Sequence, residues 1–162
     1  MRQSLQPSRD PADYRFVHRI RTRFAETDAM GVIHHAAYLP YLEEARLAYF
    51  RELGHPYGDV RRDGLEAPVL EIAVQYRRPL DFDEEVEIHL WGGAVTRTTF
   101  QLAYLLTVAG EVRATAVTVH GCIDVNGKAS RLPSWIAEVL RAGTSNSTLK
   151  PKLRTYQSRD AW

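Results

Sequence analysis

The second half of the chain alternates apolar and polar residues in four runs. The runs cover residues 70–77, 85–90, 100–108 and 112–125. A two-residue repeat is typical of a β-strand that buries one face and exposes the other. Turn-forming residues separate the runs at 81–83, 92–93, 109–111 and 126–127. Connections this short join antiparallel neighbours, because a parallel crossover needs a dozen residues or more, so we predict four antiparallel strands.

The first half predicts a short strand at 16–24 and a long helix at 36–53. Apolar residues share one broad arc of this helix: Tyr38, Leu39, Tyr41, Leu42, Ala45, Tyr49, Phe50 and Leu53. So broad an arc indicates a helix that the rest of the domain wraps. Pro40 falls in the first turn, where its missing N–H costs little, and Gly54 follows at the position that favours left-handed backbone. Pro133 opens a short final helix through residue 140.

The predicted elements follow in the order strand, long helix, four antiparallel strands and short helix. One sheet can bury one face, and the helix at 36–53 is the long apolar helix available to cover it. We therefore predict an α+β domain over residues 15–142, in which an antiparallel sheet curls around one helix. The polar residues 1–14 and the polar, mildly basic residues 143–162 are interpreted as flexible ends.

Composition and charge narrow the class of protein. A chain of 162 residues with 44% hydrophobic and 25% charged residues suits one soluble domain. Its 21 Lys and Arg balance 20 Asp and Glu, whereas nucleic-acid binding needs a basic excess. No apolar run is long enough to cross a membrane, and the N-terminus lacks the apolar centre of a secretory signal. Cys122 is the only cysteine and is interpreted as a buried core thiol, so we expect a cytoplasmic protein.

The most specific pattern lies between residues 22 and 54. Asp28, Gly31 and the run Val32-Ile33-His34-His35 precede the helix, and Glu43-Glu44-Ala45-Arg46 lies within it. On this pattern and the strand order around it, the chain resembles the 4-hydroxybenzoyl-CoA thioesterase family of hotdog-fold proteins. The resemblance extends from about Val17 to Leu140. It implies a hotdog fold, with five or six antiparallel strands wrapped around one long helix.

The resemblance also implies a function and an assembly. Relatives of this kind hydrolyse an acyl-CoA to the free acid and CoA, with no cofactor besides the substrate. They form homodimers that join sheets edge to edge, often paired again as homotetramers, which agrees with the aggregation hazard of an exposed sheet edge. Three alternatives stay open: a non-hydrolytic acyl-CoA binding protein, a thioesterase acting on acyl-carrier-protein thioesters, and a hydratase or dehydratase.

Asp28 is the predicted catalytic residue. Thioester hydrolysis needs a group that attacks the carbonyl or activates water, and donors aimed at the developing oxyanion. Asp28 supplies a carboxylate, as nucleophile or general base, and unpaired N–H groups at the helix start near His35 and Ala36 supply an oxyanion site. From the residues alone, a turn in which Asp28 accepts a hydrogen bond from its own backbone is an equal alternative.

Other residues of the site follow from the resemblance. It places His35 beside the substrate as a second catalytic residue. It assigns substrate or oxyanion contacts to Gly31, His34, Ala36, Tyr38 and Glu44, the last because other hotdog thioesterases carry their carboxylate on this helix. Both histidines have an alternative as loop residues satisfied by backbone carbonyls. A zinc site is set aside, because adjacent histidines chelate one ion poorly. Phe24 and Ala37 depart from the Tyr and Asn of many relatives and leave substrate choice open.

The charged residues outside this loop have two predicted roles. Arg46 projects within the apolar arc, where an unpaired charge is costly, and Glu43 is an available partner three residues earlier. We interpret the two as a structural ion pair at a subunit contact. CoA phosphates are usually bound by surface cations, so Arg78 and Arg97 are candidates for binding CoA. Thr98 and Thr99, which follow Arg97, are further candidates. Each of these is also explained as a plain solvated side chain.

Overall fold

The computed structural model describes residues 4–62 and 64–142, with side chains as far as residue 140. These residues form strands β1 (Phe16–Arg21), β2 (Leu65–Glu66), β3 (Val69–Tyr76), β4 (Glu85–Gly93), β5 (Thr99–Val108), β6 (Glu111–Gly121) and β7 (Ile123–Asp124). The α-helices are α1 (Tyr38–Glu52), α2 (Tyr57–Arg62) and α3 (Ser134–Ala142). Short 3-10 turns lie at Pro11–Asp13, Phe24–Glu26 and His35–Ala37.

Five strands form one antiparallel sheet in the order β1-β4-β5-β6-β3, while β2 and β7 form a separate pair. Helix α1 packs on one face of the large sheet, chiefly against β1 and β4. The core that it closes includes Tyr41, Leu42, Ala45, Phe50, Ile88, Leu90, Leu102 and Tyr104. The predicted α+β arrangement of a sheet around one long helix is confirmed. Strand β3 forms a sheet edge, and a cavity remains between it and α1.

Residues 4–14 lie against the opposite face of the sheet. The N–H groups of Ser4 and Leu5 donate to Oε1 of the buried Gln101, at 2.9 and 3.2 Å. The buried ring of Tyr14 lies 6.0 Å from the ring of His89. These contacts cover part of a sheet face that carries both polar and apolar side chains. Flexibility of residues 1–14 stays a prediction, and the predicted C-terminal tail lies outside the described residues.

The element boundaries differ from the predictions in several places. Residues 92–93, predicted as a turn, end strand β4, and the run predicted to continue to residue 125 is interrupted at Cys122 between β6 and β7. The predicted strand at 16–24 ends at Arg21, because the next residues form a 3-10 turn with Glu26 accepting from the N–H of Arg23. Helix α1 begins at Tyr38, after a 3-10 turn that includes the predicted first residues. Helix α2 and the β2–β7 pair were not predicted. Gly54 has a φ of 83° after α1, as the left-handed cap requires.

Candidate active site

Asp28 begins a tight turn that is closed by two backbone hydrogen bonds. The N–H of Gly31 donates to the carbonyl of Asp28 at 3.0 Å, and the N–H of Asp28 donates to the carbonyl of Val32 at 2.9 Å. Gly31 has a φ of 80°, a left-handed backbone that glycine adopts without strain. Thr27 and Ile33 pair as an antiparallel bridge on either side. The segment is therefore a miniature hairpin with Asp28 fixed at its tip.

The carboxylate of Asp28 has one oxygen committed to the turn and one that remains available. Its Oδ1 accepts a hydrogen bond from the N–H of Met30 at 2.8 Å, which is the turn role considered from the sequence. Its Oδ2 has no hydrogen-bond partner among the residues that the structure describes. The side chain is partly exposed. The structural and the catalytic interpretations of Asp28 are therefore compatible, because each uses a different oxygen.

The start of the helix lies directly after this turn. His34 accepts a hydrogen bond at Nδ1 from the N–H of Ala36, at 3.2 Å, and so caps the 3-10 turn His35–Ala37. The N–H of His35 donates to no acceptor within the described chain. The hydroxyl of Tyr76 donates to the carbonyl of His35 at 3.1 Å, which fixes this peptide to the end of β3. One N–H of the predicted oxyanion site is thus free, while that of Ala36 is occupied.

The two histidine side chains are exposed and lie close to each other. Their ring centroids are 4.1 Å apart. The side chain of Tyr38, by contrast, is buried in the core and packs edge-on against Tyr76 with 4.9 Å between ring centroids. The predicted substrate contacts of His34, His35 and Tyr38 stay predictions. The geometry makes the imidazole rings accessible and leaves the phenol of Tyr38 inside the protein.

Glu26 anchors the turn to the helix, a role that was not predicted. Its carbonyl accepts the N–H of His34 at 2.8 Å, and its nearly buried carboxylate accepts hydrogen bonds from Tyr41 on α1 and from Arg23. Burial acts to raise the pKa of Glu26, but the hydrogen bonds from Arg23 and Tyr41 outweigh it and hold the pKa below its ordinary value. The three-residue spacing of Arg23 and Glu26 was the one local signal of this pairing.

Apolar side chains surround the turn on its exposed side. Met30 is 80% exposed and Phe24 is 74% exposed, and Phe24 packs edge-on against the exposed ring of Phe82 at 5.7 Å between centroids. Tyr76 and Leu39 add further exposed apolar surface near the helix start. Exposed apolar groups clustered beside a free carboxylate oxygen are typical of a ligand or subunit contact.

Glu44 does not lie with Asp28. Its exposed carboxylate contacts Nε2 of His18 on β1 at 3.0 Å, on the side of α1 away from β3. Arg46 is buried, as the helical pattern indicates, and its Nη2 lies 3.6 Å from Oε1 of Glu43. The contact with Glu43 confirms the predicted partner. Its location at a subunit contact stays a prediction.

The predicted CoA-binding residues fall at two ends of the sheet. Arg78 follows β3 at the end that carries the Asp28 turn, where it pairs with Glu111. Arg97 and Thr98 lie in the turn before β5 and Thr99 is the first residue of β5, beside the end of β6. The eight residues of β3 that separate these ends span about 26 Å at 3.3 Å per residue. A single chain therefore does not bring the second group to Asp28.

The described residues contain neither a metal-binding cluster nor a membrane-spanning helix. No group of three or more His, Cys, Asp or Glu side chains in the described ranges is arranged to hold a metal ion. No helix there is both long and apolar enough to span a membrane. Cys122 is buried, and burial raises the pKa of its thiol, which agrees with its interpretation as a core residue.

Comparisons with known proteins agree with this fold and identify the family. Residues 22–140 match the family described as the thioesterase-like superfamily. A 1,4-dihydroxy-2-naphthoyl-CoA hydrolase of Synechococcus elongatus is 31% identical over 132 residues, covering 77% of this chain and 96% of that protein. The structure of a DHNA-CoA thioesterase from Staphylococcus aureus is 32% identical with a TM-score of 0.71, covering 75% and 83%. That of a hypothetical protein from Aquifex aeolicus is 38% identical with a TM-score of 0.74, covering 77% and 98%.

The fold and the relatives together define a thioesterase of the hotdog class. The five-stranded antiparallel sheet and the long helix that packs on it agree with the fold of these structures. The chain belongs to the thioesterase-like superfamily. The predicted fold and enzyme class are confirmed, while the 4-hydroxybenzoyl-CoA thioesterase branch is a finer assignment that stays a prediction.

Proposed function

We propose that this protein hydrolyses an acyl-CoA thioester to the free acid and CoA, with Asp28 as the catalytic carboxylate and no added cofactor. One observation carries the proposal: a free carboxylate oxygen of Asp28 and a free N–H of His35 lie on one short segment fixed by hydrogen bonds. The relatives named above act on CoA thioesters, which supports the choice of substrate.

The reaction divides between these two groups. As a general base, Asp28 takes a proton from water while the water oxygen attacks the thioester carbonyl carbon. The N–H of His35 stabilises the oxyanion that forms on the carbonyl oxygen. The C–S bond then breaks, and the proton held by Asp28 passes to the CoA thiolate. As a nucleophile, Asp28 would instead form an acyl anhydride with release of CoA, and water would hydrolyse that anhydride.

We also propose that two copies of the chain pair through β3. Val69, Leu70 and Ile72 on this edge strand are exposed, and an unpaired apolar edge in a monomer invites association. A second copy would also bring the Arg97 turn of one subunit toward the Asp28 end of the other. Sedimentation velocity tests this assembly. Leu70→Lys should convert the dimer to monomer, and an unchanged sedimentation coefficient would contradict pairing through β3. Further pairing into a homotetramer would appear as a second, larger species.

The decisive experiment compares two aspartates that have the same local geometry. Asp124 accepts the N–H of Asn126 at Oδ1, just as Asp28 accepts that of Met30. Thiol release from a panel of acyl-CoAs is measured for the native protein, Asp28→Asn and Asp124→Asn. General acid–base catalysis is worth about 10²–10⁴-fold, so kcat/KM should fall by at least 100-fold in Asp28→Asn alone. Native protein that binds acyl-CoA but releases no thiol would instead identify a binding protein.

Carrier-protein thioesters are tested by the same variants. The panel therefore includes an acyl group presented both on CoA and on an acyl carrier protein. A higher kcat/KM for the CoA form is expected. The reverse preference would keep the catalytic assignment of Asp28 and change the substrate.

A further inference from the structure

A cavity of about 150 Å³ lies between helix α1 and the sheet, beside the edge strand β3. Leu39 and Leu42 of α1 and Val69 and Ile72 of β3 form apolar parts of its wall. Pro40 and five polar side chains form the rest of the lining, the polar ones being Glu43, Arg46, Tyr104, Thr118 and His120. The volume is close to that of a cavity able to hold one benzene ring.

The guanidinium of Arg46 is the unusual group in this wall. Arg46 is 4% exposed, and its Nη1 is buried with no hydrogen-bond partner in the described chain. Among the described residues its one carboxylate neighbour is Glu43, which lies 3.6 Å from Nη2 and has a side chain that is 65% exposed. On another side, the guanidinium carbon lies 5.5 Å from the centre of the Tyr57 ring. A buried cation with an unused donor requires a compensating acceptor.

The other polar groups of the wall cannot supply an anion. Tyr104, Thr118 and His120 form a buried chain, with 3.2 Å between the two hydroxyl oxygens and 2.8 Å from Thr118 Oγ1 to His120 Nε2. Burial, and then the charge of Arg46, lower the pKa of His120 to about 3, while the nearby carbonyl of Ala67 opposes that shift. Burial raises the pKa of Tyr104. The cavity lining therefore carries the buried cation of Arg46, the exposed carboxylate of Glu43 and neutral groups, and Nη1 of Arg46 remains a charged donor without an acceptor in the described chain.

The cavity begins close to the proposed reaction centre. Leu39 is the second residue of α1, directly after the helix start that carries the free N–H of His35. On the opposite wall, Ile72 lies four residues along β3 from Tyr76, whose hydroxyl binds the carbonyl of His35. Arg46 lies seven residues beyond Leu39 on α1, about 10 Å along the helix axis at 1.5 Å per residue. An acyl chain that leaves the thioester at His35 would therefore meet Arg46 at the far end.

We infer that Arg46 closes the acyl pocket and binds an oxygen atom, of a hydroxyl or a carboxylate, at the far end of a short or aromatic acyl group. This inference rests on the proposed thioesterase function. The guanidinium donates from Nη1 to the substrate oxygen, and Leu39, Leu42 and Ile72 contact the carbon skeleton between it and the thioester. Long alkyl chains without a terminal oxygen leave Arg46 unpaired and exceed the volume of the cavity.

The test compares substrates that differ only at the far end of the acyl group. The pairs are 4-hydroxybenzoyl-CoA with benzoyl-CoA, and glutaryl-CoA with pentanoyl-CoA. Native protein should have at least tenfold higher kcat/KM for the oxygen-bearing member of one pair. A preference within the benzoyl pair indicates that Arg46 binds a hydroxyl, and a preference within the glutaryl pair indicates that it binds a carboxylate. Arg46→Met should abolish that preference by lowering kcat/KM for the oxygen-bearing member. Arg51→Met, an exposed arginine in the last turn of α1, should keep the native preference.

Several results would overturn the inference. Equal selectivity in native protein and Arg46→Met shows that the guanidinium does not bind the substrate. Unchanged selectivity together with an altered sedimentation coefficient would show that Arg46 acts at a subunit contact and not in substrate binding. If Arg46→Met fails to fold, Arg46→Lys replaces it, because it keeps the charge and should retain part of the substrate preference. Full retention of the preference in Arg46→Lys, or complete loss of activity on every substrate, would contradict the assignment.

A separate measurement distinguishes failure of the subsite from failure of the proposed function. If no acyl-CoA releases thiol, titration calorimetry with the same four compounds still measures the subsite. Native protein should bind the oxygen-bearing member of one pair at least tenfold more tightly, and Arg46→Met should remove the difference. Equal affinities within both pairs would refute the subsite, whatever the reaction.

Discussion

Replacement of Gly31 by alanine tests whether the geometry of the turn is what makes Asp28 useful. Gly31 has a φ of 80°, and a methyl group at its Cα would meet no atom within 4 Å. The substitution therefore adds backbone strain without a steric collision. Gly127 offers a matched control, because it has a φ of 74°, equally open surroundings and the same position in the turn that begins at Asp124.

The expected loss of activity in Gly31→Ala follows from the free-energy cost of left-handed backbone at this residue. An L-residue with a side chain pays about 1–2 kcal/mol for that conformation, which glycine does not. Since 1.36 kcal/mol corresponds to a factor of about ten, relaxation of the strain would reduce the population of the native turn by roughly five- to thirtyfold. The turn at Gly31 can relax without disturbing the core, because Met30 and Gly31 are exposed. We therefore expect kcat/KM to fall by about tenfold.

The assay combines thiol release with thermal unfolding. Gly31→Ala should lose activity while its Tm changes little, and Gly31→Asn should recover most of the activity because asparagine tolerates left-handed backbone. Gly127→Ala should keep native kcat/KM. Full activity in Gly31→Ala, or an equal loss in both alanine variants, would refute the idea that this turn positions the catalytic carboxylate.

The remaining predictions concern stability and the anchoring of the turn. Burial lowers the pKa of His120 to about 3 in the folded protein, whereas the unfolded chain takes up this proton below about pH 6.5. The free energy of unfolding should therefore fall as the pH drops from about 6.5 toward 3. Denaturant titrations of His120→Gln should show a shallower fall over the same pH range. A Cβ at Gly92 would collide with Leu140, so Gly92→Ala should lower the free energy of unfolding by about 1–3 kcal/mol, and Leu140→Val in the same chain should recover part of it. Glu26→Gln should reduce kcat/KM more than it reduces Tm, because its charged hydrogen bonds hold the turn against α1; an equal fall in Tm and activity would indicate a purely structural role.

The fold was predictable where one pattern repeats over many residues. The apolar arc of α1 and the alternation in β3 to β6 each extend over several turns or residue pairs, so a local irregularity does not obscure them. The β2–β7 pair was missed because each strand has two residues, which is too short for any period. Helix α2 has six residues and only Val60 buried, so it also leaves no apolar pattern.

The site was predictable only in part, because its contacts join distant residues. The loop position of Asp28 and the burial of Arg46 follow from local pattern. The hydrogen bond from Tyr41 to Glu26 crosses fifteen residues, and that from Tyr76 to His35 crosses forty-one. The proximity of Arg46 to His120 likewise depends on how α1 lies across the sheet. Periodicity gives the face on which a residue lies and does not give its partner.

The two Asp-x-x-Gly turns of this chain show what the local motif can and cannot encode. Thr27 bridges Ile33 around the first, Ile123 bridges Ala129 around the second, and the same three hydrogen bonds close each turn. The motif therefore encodes a backbone shape and an occupied Oδ1, whatever the function. What differs at Asp28 is the neighbouring helix start with its free N–H at His35, tied to β3 by Tyr76. The catalytic role that we propose for Asp28 therefore depends on this neighbouring helix start and not on the turn motif itself.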